Sequence, residues 1–224
     1  MLTDVEIRDA MAEGDLSITP FTGACLQPAS YDFRVGTEAF LSGADSITDV
    51  ANKGLVIIEP GEFAIIATKE SVKCSARVAA QLGLDSKYAH QGLVLLSGPQ
   101  VDPGFHGVLI VRVTNLAPRR ITLTYEAPFL TVQFFLLNQA VARPYDGSRQ
   151  GQTGLGATDI EELTHPDSPT LGGMVKSLTA PAGDVGELNT SVARLEGSMS
   201  RLSWVIPLLV AFGIGVTAII IAFK

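Results

Sequence analysis

Cysteine is almost missing from this chain: Cys25 and Cys74 are the only two in 224 residues, with three histidines and one tryptophan. There is no CxxC pair and no Cys/His cluster, which excludes a structural zinc site of ordinary ligand spacing. A disulfide stays open, but two buried free thiols are the better reading of so sparse a pair. Positive charge is also scarce. Lys and Arg number 16 against 23 Asp and Glu, for a net charge of −7. The deficit lies in residues 1–165, which hold 12 basic against 19 acidic side chains, while residues 166–224 hold four of each. No basic stripe runs through that acidic part, so duplex nucleic acid is not an expected partner. A small nucleotide needs only a local patch and stays possible. The N-terminal stretch MLTDVEIRDAMAEGDLSI has neither a basic opening nor a long apolar core, and is not expected to be a secretory signal.

What the chain has in quantity is short β-branched and aromatic runs. FRVGTEAFL, LVIIEP, EFAIIATK, GVLIVRVTN, RRITLTY and LTVQFFLL are each bounded by Gly, Pro or Asn, and read as strands of an all-β barrel or sandwich. Before them, Thr3 or Asp4 caps a short helix, with Val5, Ile7, Ala10 and Met11 on its apolar side and Gly14 at its end. The run SVKCSARVAAQLG fits a helix or a strand, and its period does not decide.

The C-terminal third changes character. Residues 146–183 are rich in Gly and polar side chains, the first half of functional type and the second a linker. Val185, Leu188, Val192, Leu195, Met199, Leu202 and Ile206 follow at alternating spacings of three and four, an a/d heptad stripe expected to form a coiled coil. The competing reading is one amphipathic helix on a surface. Residues 204–223 carry no charge, and the 19 residues from Val205 to Phe223 would rise about 28 Å as a helix, enough to cross a bilayer. The expected topology is a single-pass C-terminal membrane anchor with the preceding domain in the cytoplasm. The mean hydropathy of +0.30, high for a soluble protein, owes much to this end.

Four stretches look chemical. QPASYDFRVG sets Asp32 between Tyr31 and Phe33, and LGLDSKYAHQG gathers Asp85, Ser86, Lys87 and His90 between glycines. VDPGFHG puts Asp102 at a strand–turn edge beside Phe105, and RQGQTGLGATD supplies Gly151, Gly154 and Gly156, whose N–H groups can cradle an anion. Singly each reads as turn chemistry. Arg112 is the odd residue of its strand, a charge among aliphatics. Its bland explanation is a packed stem with the head in solvent or on a carboxylate. Its alternative is a place in a site.

In order, these stretches resemble the dCTP deaminase and trimeric dUTPase superfamily. MLTDVEIRDAMAEGDLSI…QPASYDFRVG, PGEFAIIATKESV, VDPGFHG and ARPYDGSRQGQTG are similar to that superfamily's successive motifs, and the resemblance spans residues 1 to about 159. It implies a mainly β fold, a distorted dUTPase-like barrel with short helices, followed here by the coiled-coil helix and one transmembrane helix. The expected divisions are 1–159 for the domain, 160–184 for the linker, 185–203 for the heptad helix and 204–223 for the span. It also implies a homotrimer with nucleotide sites between subunits and Mg²⁺ on the phosphates. Residue by residue, Asp102 matches the dUTPase aspartate that holds the attacking water, and Phe105 the aromatic on the deoxyribose. Asp32 matches a metal-linked aspartate, and Gln152 a base-contacting glutamine. Ser86, Tyr145, Gly154 and Gly156 fall in the nucleotide-binding segments.

Two departures shape the functional expectation. Ten residues after the motif aspartate, where the deaminases carry a catalytic glutamate, stands Arg112, which keeps its proton at any physiological pH. The phosphate motif GRSS reads GLDS over Gly83–Ser86, so an arginine is replaced by Leu84 and Asp85 adds negative charge. Asp85 and Arg112 are candidates to pair. The expectation is therefore a membrane-anchored trimer that has lost deamination and serves in nucleotide sensing, scaffolding or partner binding. Its alternatives are a Mg²⁺-dependent dUTP/dCTP pyrophosphatase using Asp102 and Asp32, or an accessory structural subunit of a membrane complex.

Overall fold

The computed structural model describes residues 1–161. The chain opens on helix α1 (Asp4–Glu13), whose N-terminus is a complete capping box: Glu6 N–H donates to the Thr3 hydroxyl, and the Glu6 carboxylate accepts from Thr3 N–H. Ile7 and Ala10 are its buried face, but Val5 is exposed, so the apolar stripe is narrower than the sequence suggests.

Twelve strands and three further short helices follow. They are β1 (Leu16–Thr19), β2 (Leu26–Gln27), β3 (Ser30–Leu41), β4 (Thr48–Asp49), α2 (Val50–Lys53), β5 (Leu55–Ile58), β6 (Phe63–Cys74) and β7 (Val78–Leu84). Then come α3 (Ser86–Ala89), β8 (Leu93–Leu95), β9 (Gln100–Val101), β10 (His106–Asn115), β11 (Ile121–Thr124), β12 (Pro128–Leu136) and α4 (Ala157–Glu161). The large sheet has the order β8-β10-β6-β3-β12-β7-β9, with β1 on β6 and both β2 and β4 on β3; β11 and β5 form a separate ribbon. Every pairing between these strands is antiparallel. The expected mainly β, dUTPase-like fold is what the domain adopts. The ambiguous run SVKCSARVAAQLG resolves into strand: its first half pairs with β1 and β10, its second with β12.

The long strands β3, β6, β10 and β12 place Tyr31, Phe33, Ile66, Val111, Val113, Phe129 and Phe134 in one apolar core. Cys25 and Cys74 are free and buried. Burial pushes the Cys74 thiol up to about 12, so it is a packing side chain and not a nucleophile.

One charge is buried beside this core. Glu70 has no solvent exposure, and it accepts from Arg34 N–H at 2.7 Å and from Arg34 Nε at 2.5 Å. The pair ties β3 to β6, and Glu126 extends it outward to Arg34 and Lys69. Nothing in the local sequence ATKESVK separates Glu70 from a solvated charge on a strand face.

No helix among the described residues is long and apolar enough to cross a membrane. The linker beyond residue 161, the heptad helix 185–203 and the span 204–223 lie outside the described residues.

Candidate functional site

Strand β10 forms the floor of the site. A bulge interrupts its pairing with β6 between Val108 and Ile110, where Leu109 N–H donates to the Thr68 hydroxyl. Beyond the bulge Leu109, Val111 and Val113 are buried, while Ile110 and Arg112 point outward and line a cavity of about 280 Å³. Arg112 N–H donates to the Ser97 hydroxyl at 2.7 Å, which fixes the strand against the loop opposite.

The turn that precedes β10 carries Asp102 and Phe105. Gly104 has φ +91°, and a side chain there would meet Pro144 Cβ at 2.6 Å. Only glycine allows both the left-handed turn and the close passage of residues 144–145. Tyr145 N–H donates to Pro103 O, and its ring packs edge-on against Phe105 with centroids 5.6 Å apart.

After Tyr145 the chain doubles back as an arm over β10. Gly107, at φ +145°, lies against the Gln152 backbone, which bridges to it in parallel. Val108 N–H donates to Gln152 O at 3.0 Å, and Gln152 Nε2 donates to Val108 O at 2.7 Å. Farther along, Leu155 N–H donates to the Glu38 carboxylate. Gly154 passes close to Glu38, and Gly156 N–H is taken by Asp159. Gly151 N–H donates to His106 O, so the N–H groups of Gly151 and Gly156 are both engaged within the chain.

Asp102, Phe105, Arg112, Tyr145 and Gln152 thus converge on one cavity, as a site reading requires. Asp102 and Tyr145 also border a neighbouring cleft of about 830 Å³. Asp102 is solvent-exposed and accepts a close hydrogen bond from Gln100.

Ser86 and Asp32 are not brought there. They border a third cavity, of about 630 Å³, together with Asp85. Asp32 accepts from Gln27 Nε2 at 2.8 Å and from the Thr131 hydroxyl at 2.9 Å. Burial raises its pKa above the usual carboxylate value; those two hydrogen bonds lower it, and the charge of Asp85 raises it again. Asp85 caps α3 by accepting from Lys87 N–H. Among the described residues no three His, Cys, Asp or Glu gather as a metal cage. A buried carboxylate whose two oxygens already accept from a half-buried amide and a half-buried hydroxyl does not fit a magnesium ligand.

The pairing expected for Arg112 is also corrected. Among the described residues the carboxylate it reaches is Asp159, on α4, and not Asp85. Arg149 joins the same carboxylate. Neither Arg149 nor Asp159 stands out in the sequence, because both sit among the Gly and polar residues of the arm.

The relatives decide the family. The dCTP deaminase-like family model matches residues 1–135. The chain belongs to the dCTP deaminase-like family. A dCTP deaminase of Pyrococcus horikoshii is 38% identical over 155 residues, 69% of this chain and 94% of that one. One of Pyrococcus furiosus is 36% identical over 163 residues, 73% of this chain and 99% of that one. The crystal structure of a 2'-deoxycytidine 5'-triphosphate deaminase from Agrobacterium tumefaciens superposes with a TM-score of 0.52 at 18% identity, over 60% of this chain and 48% of that one, and shows the shared fold.

These relatives overturn the expectation of a protein that has lost deamination; the membrane anchor expected with it falls outside the described residues. That expectation required the acid to stand at residue 112. The fold brings one carboxylate from elsewhere in the chain to the wall of this cavity, Asp102, and sets another, Asp159, against Arg112.

Proposed function

We propose that this member of the dCTP deaminase-like family deaminates a cytosine deoxynucleotide, dCTP in the first instance, in the cavity between β10, the 102–105 turn and the arm. The observation that carries the reading is the 38% identity to a protein named dCTP deaminase along 94% of that protein's length. The cavity supports it chemically. At about 280 Å³ it falls just short of the roughly 300–1,000 Å³ of small-molecule sites. Leu82, Leu109 and Phe105 supply apolar wall, and Gln152 an amide.

Hydrolytic deamination adds water at C4 of the cytosine ring and expels ammonia. A group must take a proton from water and return one to the leaving nitrogen. Arg112 cannot, because guanidinium does not release its proton. Among the described residues Asp102 is the one carboxylate that lines the cavity, and we assign it this relay. Arg112 supplies fixed positive charge. The family resemblance further supports a homotrimer, which light scattering tests by mass.

The deciding experiment incubates the full chain with dCTP and follows ammonia and the uracil nucleotide together. Both appear in equal amounts on this reading. Asp102→Asn stops their release and leaves dCTP binding within about threefold, since an amide keeps the shape but not the basicity. No ammonia from dCTP with folded protein overturns the proposal.

A further inference from the structure

Two guanidinium groups line the β10 cavity, Arg112 from the barrel and Arg149 from the arm. Both reach one carboxylate. Asp159 Oδ1 is 2.7 Å from Arg149 Nη1 and 3.7 Å from Arg112 Nη2. Its side chain is 6% exposed, whereas those of Arg149 and Arg112 are 39% and 30% exposed. Oδ2 accepts from Gly156 N–H at 3.0 Å, but buried Oδ1 makes no hydrogen bond of ordinary geometry and is held by charge alone. A buried carboxylate between two guanidinium groups occupies the place such groups offer to a phosphate.

Charge elsewhere points the same way. The cavity that contains Gly83–Ser86, the counterpart of the family's phosphate motif, is lined by Asp32 and Asp85 and by no Lys or Arg. An anion entering there meets like charge. The β10 cavity carries two arginines against Asp102 on its wall, and among the described residues the carboxylate that offsets both arginines belongs to a five-residue helix.

We propose that Arg112 and Arg149 form an anion subsite for a phosphate or pyrophosphate group, that Asp159 is its intramolecular occupant, and that an entering anion displaces the 157–161 turn. Asp159 is then a competitor. It holds the arm against the two arginines and yields when the anion supplies more acceptor oxygens than one carboxylate can. The inference deepens the nucleotide reading and rests on it only for what carries the anion.

The test uses inorganic pyrophosphate, which has no base, titrated calorimetrically into the full chain at low ionic strength. Asp159→Asn is expected to bind it about tenfold more tightly than the parent, the size of one charge-assisted contact. Arg112→Gln and Arg149→Gln, each added to Asp159→Asn, are expected to remove that gain. Circular dichroism and melting temperature establish folding of each variant; should Asp159→Asn not fold, weaker pyrophosphate binding by Arg112→Gln alone carries the test. Equal affinity of parent and Asp159→Asn, a gain that survives Arg112→Gln, or parent-like binding by Arg112→Gln alone overturns the proposal. Ammonia release from dCTP reports on the deaminase reading and pyrophosphate binding on this one, so the two fail separately.

Discussion

Removing the partner of Glu70 is expected to cost more stability than its exposed neighbours would. Arg34 is 15% exposed at its side chain and Glu70 is not exposed at all. Arg34→Met keeps most of the stem's packing and takes away the guanidinium. Glu70 then retains Arg34 N–H as a donor but has no cation against it inside the β3–β6 seam. Breaking a buried pair from one side costs about 3–5 kcal/mol, most of it the penalty of an uncompensated charge. For a domain of this size about 1 kcal/mol moves the melting temperature by 2–4 °C, so a fall of roughly 6–20 °C is expected. The double variant Arg34→Met/Glu70→Leu removes the charge as well and is expected to be more stable than Arg34→Met alone. Thermal unfolding followed by circular dichroism measures both. A loss below about 1 kcal/mol in Arg34→Met, or a double variant worse than the single, refutes the assignment of Glu70 as a buried charge held by Arg34.

Gly107→Ala is expected to loosen the arm. The new Cβ would lie 2.8 Å from Gln152 O at a φ that costs a side chain about 1–3 kcal/mol, so faster proteolysis after Arg149 and loss of ammonia release should accompany a nearly unchanged barrel. Wild-type arm protection in that variant defeats the reading. Asp32→Asn is expected to stabilise the protein at neutral pH. The folded pKa of Asp32 is raised above the ordinary 3.8, chiefly by burial, so its ionised form opposes folding above the folded pKa, and that opposition fades as pH falls through it. The melting temperature gain should be present at about pH 7 and shrink by about pH 4; a gain independent of pH sinks the argument.

Arg112 and Asp32 had different fates. Arg112 was legible as unusual, because a cation interrupting an aliphatic strand breaks local pattern. Its meaning was not, since the partner lies 47 residues on, in a segment with no period to mark it. The lost-deamination reading failed for that reason: it weighed one position against a motif and had no access to the carboxylate that a turn brings to the cavity wall, nor to the one the arm sets against Arg112. Asp32 failed in the opposite way. Its motif invited a metal, but Gln27, five residues before it, and Thr131, on the distant strand β12, take up its oxygens.

By itself the sequence determined the strands, the capped first helix and the Asp102–Phe105 turn, because these depend on side-chain alternation, capping and turn chemistry within a few residues. The tertiary structure alone decided that Ser86 and Asp102 face different cavities, that Glu70 is buried, and that Arg112 and Arg149 share Asp159. Each of those depends on which distant segments pair across the sheet and how the arm folds back. Charge and burial at such places are properties of contacts, and contacts between remote segments leave no mark on local composition.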